Sequence, residues 1–238
     1  MRQLQLYMYS GNRRVYLERH DFYVGQVRTR VLAQFRDIEA EAERHSETIY
    51  NELAEAPGGE DSDLSEIADY ALESGHERYE LLHDLRDQMV FSAVAGMYHQ
   101  WDKDLRDFVE HELRHDLVNA DKIAWDQKSS AMFDLLKEFG WDCRARPFYP
   151  TIDACRLVVN VYKHGQGSSL KILASTYPEY LKNPIVLGTE DRAFADGDDL
   201  DYQWLAVSEA QFERFGEAMR SFWQEFPERL FLTIPVTP

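Results

Sequence analysis

The sequence predicts a mainly α-helical fold: a helical bundle with long helices and a small irregular C-terminal extension. Three observations carry this. Apolar residues recur at three- and four-residue spacing through two long stretches, 15–56 and 62–118. Alternating runs of the strand type are few and short. Helix stops and caps punctuate the second half, at Gly140, Gly165 and Ser208-Glu209-Ala210-Gln211. With 238 residues, 44% of them hydrophobic, the chain can bury a substantial core. We expect a bundle over residues 1–180 and an extension over 181–238 holding one amphipathic helix.

Taken in order, Leu4-Gln5-Leu6-Tyr7-Met8-Tyr9 alternates weakly, as a short strand or extended arm would, and Ser10-Gly11-Asn12 is a turn signal. From 15 to 56, Phe22, Val27, Val31, Phe35, Ile38 and Ala42 fall near one helical face. Pro57-Gly58-Gly59-Glu60-Asp61 ends that stretch. Ser62 or Asp63 opens the next, whose inner face runs through Ile67, Ala71, Leu82, Met89 and Met97 to Leu105 and Val109. Tyr70, Tyr79, Leu85, Ala93, Gly96 and Phe108 are expected on the same inner face. The stretch exceeds an ordinary helix in length, and Ser74-Gly75 is the expected break. The small residues Ser92-Ala93-Val94-Ala95-Gly96 predict the close approach of another helix. A short helix follows at 131–139, closed by Gly140. Pro147 and Pro150 bracket a loop into a central helix around 155–165, and a further helix spans 169–175. Short strands are expected at 184–187 and 205–207. The acidic loop 195–201 lacks EF-hand spacing and reads as solvent-exposed. The last helix carries Phe212, Phe215, Met219, Phe222 and Phe226 on its apolar face and stops at Pro227.

The formal net charge of −17 argues against indiscriminate nucleic-acid binding. Its distribution is uneven. Residues 37–87 hold 17 acidic and 3 basic side chains, whereas residues 137–182 hold 7 basic and 4 acidic. The acidic stretch reads first as a solvated face and second as a surface for a basic partner. Cys143 and Cys155 are too few for a disulfide framework and read as reduced, buried thiols. No apolar run approaches a membrane span and no signal-peptide pattern opens the chain, so a cytoplasmic protein with no membrane partner is expected.

The stretch around which the chain is organised is the central helix with its polar stripe. Arg156, Asn160 and His164 recur every fourth residue and share one face, while Leu157, Val158, Val161 and Tyr162 supply an apolar remainder. Gly165 is a natural stop, and Ser168 or Ser169 a natural cap for the next helix. A guanidinium, an amide and an imidazole on one buried helix need partners, whether from the core or from a ligand.

Metal chemistry has weaker support. His111-Glu112-Leu113-Arg114-His115 matches HExxH on an expected helix, where two histidines one turn apart could bind zinc. Arg114 and the following Asp116 are uncharacteristic of zinc peptidases, and no third-ligand motif follows. Glu73-Ser74-Gly75-His76 and Glu80-Leu81-Leu82-His83 read ExxH, but both copies lie close together in one region instead of on two separate helices. No cofactor is expected.

The central helix Arg156…Asn160…Lys163-His164-Gly165 resembles the active-site helix of HEPN domains. The long helical stretch 89–112, with Tyr98, Trp101 and Leu105, is similar to the second helix of such bundles. The family pattern places a histidine a few residues after an arginine; here seven residues lie between Arg156 and His164. HEPN domains are small all-α bundles, and many are metal-independent ribonucleases of toxin–antitoxin, abortive-infection and CRISPR systems. The resemblance implies a HEPN-like endoribonuclease in phage defence or a toxin–antitoxin system, with RNA as substrate, a homodimeric site, and an antitoxin or defence-system protein as a possible partner. His164 would serve as acid or base, Arg156 would stabilise the phosphorane charge and Asn160 would orient them. Lys163, Ser168 and Lys171 would contact the RNA backbone. The alternatives are a non-catalytic module on the same fold that binds a basic protein, and zinc hydrolysis at His111, Glu112 and His115.

Overall fold

In chain order the elements are β1 (Arg2–Tyr7), α1 (Ser10–Gln26), α2 (Ile38–Ala54), α3 (Leu64–Leu113), α4 (Ala120–Trp125), α5 (Ser129–Glu138), α6 (Tyr149–His164), α7 (Ser168–Thr176), α8 (Glu209–Glu225) and β2 (Arg229–Ile234). The fold is mainly α, as the periodicity predicts. The structure is a computed structural model and describes residues 1–56, 63–126, 129–182 and 200–235. The turn at 57–61, Ser62 as a helix start, the strand expected at 184–187 and residues 195–199 of the acidic loop lie outside the described residues. No helix among the described residues is long and apolar enough to cross a membrane.

Two compact units emerge. The first comprises 1–25 and 91–238, the second 26–90. Helix α3 contributes its first part to the second unit and its remainder to the first.

In the larger unit, the chain ends meet. Strand β1 pairs antiparallel with β2, from Arg2 opposite Ile234 to Tyr7 opposite Arg229. Leu4, Leu6 and Leu230 bury their side chains from this ribbon. The core is aromatic. Trp101 meets Phe222 edge-on at 5.0 Å, Trp141 packs on Phe226 at 4.9 Å, and Tyr16 of α1 stacks on Trp223 at 4.5 Å. Such pairs add to the area they bury because ring edges and faces carry opposite charge. The capping box is present: Ser208 Oγ accepts from Gln211 N, and Gln211 Oε1 accepts from Ser208 N at 2.8 Å. The other end of α8 is closed by α1, where Arg13 donates to the carbonyls of Gln224 and Phe226, each at 2.6 Å. A cation at the negative end of a helix satisfies carbonyls that have no intrahelical donor. Buried Arg106 of α3 pairs with Asp102 at 2.7 Å and donates to Ala124 O of α4 at 2.6 Å. The close approach expected at Gly96 is made by Tyr23 of α1, whose hydroxyl donates to Ala93 O at 3.0 Å. A Cβ on Gly96 would lie 2.4 Å from that hydroxyl.

Several expectations are corrected. Residues 205–207 form no strand; Leu205 makes only an isolated bridge with Leu181 after the single tight turn Tyr202–Trp204. The stretch 15–56 is not one helix. Helix α1 gives way to a wide turn at Val27–Val31 and a tight one at Leu32–Phe35 before α2 begins, in a segment where β-branched Val27, Thr29 and Val31 weaken the regular helix. Ser74-Gly75 is not a break, and α3 runs through it unbroken. The reason lies within the smaller unit. Ser74 Oγ bonds His45 Nε2 of α2 at 3.1 Å, and Gly75 is where α2 comes closest. A Cβ there would stand 2.8 Å from Ser46 Cβ and 3.3 Å from Ala42 O. The glycine is kept for contact, and packing offsets its helix penalty of about 1 kcal/mol.

Candidate functional site

The polar stripe on α6 exists and is longer than the sequence motif. It begins at Tyr149, with Pro150 in the first turn, and continues through Asp153, Arg156, Asn160 and His164 to Gly165. Gly165 closes it with φ 66°, a left-handed conformation that favours glycine. Leu157, Val158 and Val161 are buried as expected. Tyr162 is not: it is 38% exposed, its ring stacked on Phe91 at 5.3 Å and its hydroxyl 3.2 Å from Ser92 Oγ.

The two ends of the stripe differ. At the N-terminal end, the Arg156 guanidinium donates from Nε (3.0 Å) and Nη2 (2.7 Å) to Asp153 Oδ1. Tyr177 donates its hydroxyl to Asp153 Oδ2 at 3.4 Å. Burial, and then the neighbouring Asp153 carboxylate, push the Tyr177 phenol up to about 12. Arg144 donates to the Tyr149 hydroxyl (3.3 Å) and Ser130 O (2.9 Å) and is ion-paired with Asp134. This half is a closed network. At the C-terminal end, Lys163 and His164 are exposed and Asn160 is half-buried; Ser168 and Lys171 of α7 are exposed. Gly167 occupies the cap position of α7, so Ser168 lies inside the first turn and no side chain caps the helix.

Arg156 and His164 are eight positions apart on one helix, about 12 Å along its axis. The guanidinium is held by a residue one turn towards the N-terminus, on the side away from His164. Asp153 and Tyr149 on the stripe, and Tyr177 reaching Asp153 from the end of α7, are not found by motif reading; Asp153 stands at i−3 to Arg156, a spacing at which an ion pair can be read.

HExxH straddles the end of α3. The helix ends at Leu113, so His115 lies in the turn that follows. The rings of His111 and His115 are 6.4 Å apart, and Glu112 Oε2 accepts from Tyr7 N of β1 at 2.9 Å. No group of three or more metal-ligating side chains occurs among the described residues. Both cysteines are free and buried, and burial pushes the Cys143 thiol up to about 12.

The smaller unit holds a second candidate. Helix α2 and the first part of α3 enclose a groove of about 790 Å³. Ala42, Ser46 and Gly75 form its floor, with Leu72 and Tyr79 beside them. Its rim is acidic: Glu39, Glu43 and Glu47 from α2, Asp69 and Glu73 from α3. Among the described residues none of these five carboxylates has a cationic partner. Of the cations nearby, Arg78 pairs with Glu41 at 2.6 Å, Arg86 with Asp87 at 3.1 Å and His76, which also lines the groove, with Glu80 at 3.3 Å, while Arg44 of α2 is exposed.

No family model, no curated protein and no solved structure matches this chain.

Proposed function

We propose that the chain is a non-catalytic binding module whose 26–90 unit receives a basic protein partner. The observation that carries this is the groove rimmed by five carboxylates that have no ion-pair partner among the described residues. Like charges one turn apart repel by a few tenths of a kcal/mol per pair. A cationic ligand converts that repulsion into attraction and, through long-range steering, speeds encounter. The test is calorimetric titration of the full chain with an unstructured Lys/Arg-Gly-Ser peptide and its Asp/Glu counterpart. The basic peptide binds at low salt and is released at high salt, and the acidic one does not bind. Absence of binding by the basic peptide at low salt overturns the reading.

A second reading, a HEPN-like metal-independent ribonuclease in phage defence or a toxin–antitoxin pair, draws on the open end of the α6 stripe. There His164 and Lys163 stand exposed beside Asn160, with Ser168 and Lys171 close by in sequence. His164 suits acid or base work near neutral pH and Lys163 suits a phosphate. Because Asp153 holds Arg156, charge stabilisation at this end falls to Lys163 or to a second copy across a two-fold axis. RNA cleavage in excess EDTA that is lost in His164→Ala supports it, and equal residual cleavage by both proteins removes it.

A further inference from the structure

We infer that the occupant of the α2–α3 groove is an amphipathic basic helix of about three turns, lying along the hairpin as a third helix; this rests on the basic-partner reading above. The argument starts from length. Glu39, Glu43 and Glu47 are one row at four-residue spacing, spanning about 12 Å, and Asp69 to Tyr79 spans about 15 Å. Those lengths match two to three turns of helix or about four residues of extended chain.

Hydrogen bonding selects between them. An extended peptide that binds by adding a β-strand needs a strand edge to pair with. This groove is walled by two α-helices, whose mid-helix backbone groups are already bonded within each helix. An extended ligand would bury its own N–H and C=O groups against them without partners, at a cost of roughly 1–3 kcal/mol each. A helix brings its backbone already satisfied.

The floor and the rim then define the ligand's sequence. Ala42, Ser46 and Gly75 are small and hold α2 and α3 in close contact, and Leu72 and Tyr79 line the groove beside them. Leu72 is 70% exposed, an apolar wall without cover. Large apolar side chains at helical a and d positions fit that floor as knobs fit holes. The acidic rows on both walls face the positions that flank such a seam, where Lys or Arg would pair across the interface. The ligand is therefore Leu-like on one stripe and Lys/Arg-rich on both sides of it.

The experiment uses the full chain and two labelled peptides of about fourteen residues, roughly 21 Å as helix. One carries Leu at a and d with Lys or Arg flanking. The other has the same composition scrambled to abolish the apolar stripe. Fluorescence anisotropy reads binding, and circular dichroism reads helix formation in the bound peptide. The amphipathic peptide binds at least about tenfold more tightly than the scrambled one and becomes helical. Leu72→Asp, a change at an exposed position, weakens it about tenfold or more, and so does Glu43→Lys with Glu47→Lys. Far-UV spectra and thermal midpoints of the variants confirm that they fold. Equal, salt-sensitive binding of both peptides, or indifference to Leu72→Asp, overturns the groove assignment while leaving the basic-partner reading standing. No binding of either peptide overturns both.

Discussion

The α6 stripe and the α2–α3 hairpin are both polar faces written at helical spacing, and they use it in opposite ways. On α6 the signs alternate: Asp153 is followed three residues later by Arg156, and the two are bonded at 2.7 Å. On α2 the sign repeats: Glu39, Glu43 and Glu47 share one wall, and Asp69 with Glu73 faces them. The first face satisfies itself and closes over its N-terminal half. The second leaves its charge to be satisfied from outside. Periodicity places side chains on a face, and the sequence of signs decides whether that face is finished.

The sharpest contrast comes from removing core against removing charge. Phe222 is fully buried among Trp101, Trp141, Phe148 and Phe226. Phe222→Ala should cost about 3–5 kcal/mol, read as a lower midpoint in urea unfolding followed by tryptophan fluorescence. A loss under 1 kcal/mol would mean that the aromatic cluster is not the main support of the larger unit. Next in size is Asp153→Asn. It leaves the half-buried Arg156 guanidinium without its counter-charge, at a cost of about 1–2 kcal/mol. It also removes a carboxylate that raises the Tyr177 phenol, so the tyrosine titration near pH 12 should move down. An unchanged Tyr177 would show that burial alone sets its value.

Much of the fold is legible in the sequence because it is local. The capping box at Ser208, the stop at Gly165 and the apolar face of α8 are each written within a few residues. What was not legible depends on partners distant in sequence. The tail 229–234 becomes a strand only because 2–7 pairs with it from the other end of the chain. Gly75 reads as a break until Ser46 and Ala42 are placed against it. The candidate site divides along the same line. Four-residue spacing along α6 places Arg156, Asn160 and His164 near one face, but which atom Arg156 bonds is decided by a rotamer that spacing does not fix. The groove was visible only as a charge imbalance, since its floor is made by two segments some thirty residues apart.

Acid dependence tests the larger unit in a further way. His20 is buried, with Nε2 donating to Gly216 O at 2.8 Å, and burial holds its pKa below the ordinary 6.5. Below that pH the unfolded chain takes up a proton that the native imidazole refuses, so stability is lost as pH falls through and below about 6.5. Asp104 lies in the same neighbourhood, paired with Arg19. Its pKa is raised above 3.8 by burial, which acts in the opposite sense at lower pH. His20→Gln keeps an N–H donor for Gly216 O and removes the titration. Its unfolding free energy should be flatter than that of the unaltered chain between pH 7 and 5. An identical slope would place the acid sensitivity elsewhere.

The smallest effect completes the comparison, because its sign should reverse. Glu43→Gln removes one carboxylate from between Glu39 and Glu47, each one turn away on the same face. Both side chains are helix formers of similar propensity, so the backbone is indifferent to the change. Relief of two like-charge contacts should raise stability by a few tenths of a kcal/mol, and salt should shrink the gain. Asp153→Asn and Glu43→Gln each replace one acid by its amide on a helix, yet the first is expected to destabilise and the second to stabilise. Thermal midpoints of the two variants at low and high salt decide it. If Glu43→Gln also destabilises, the groove carboxylates are supporting the hairpin and are not held in readiness for a cationic partner.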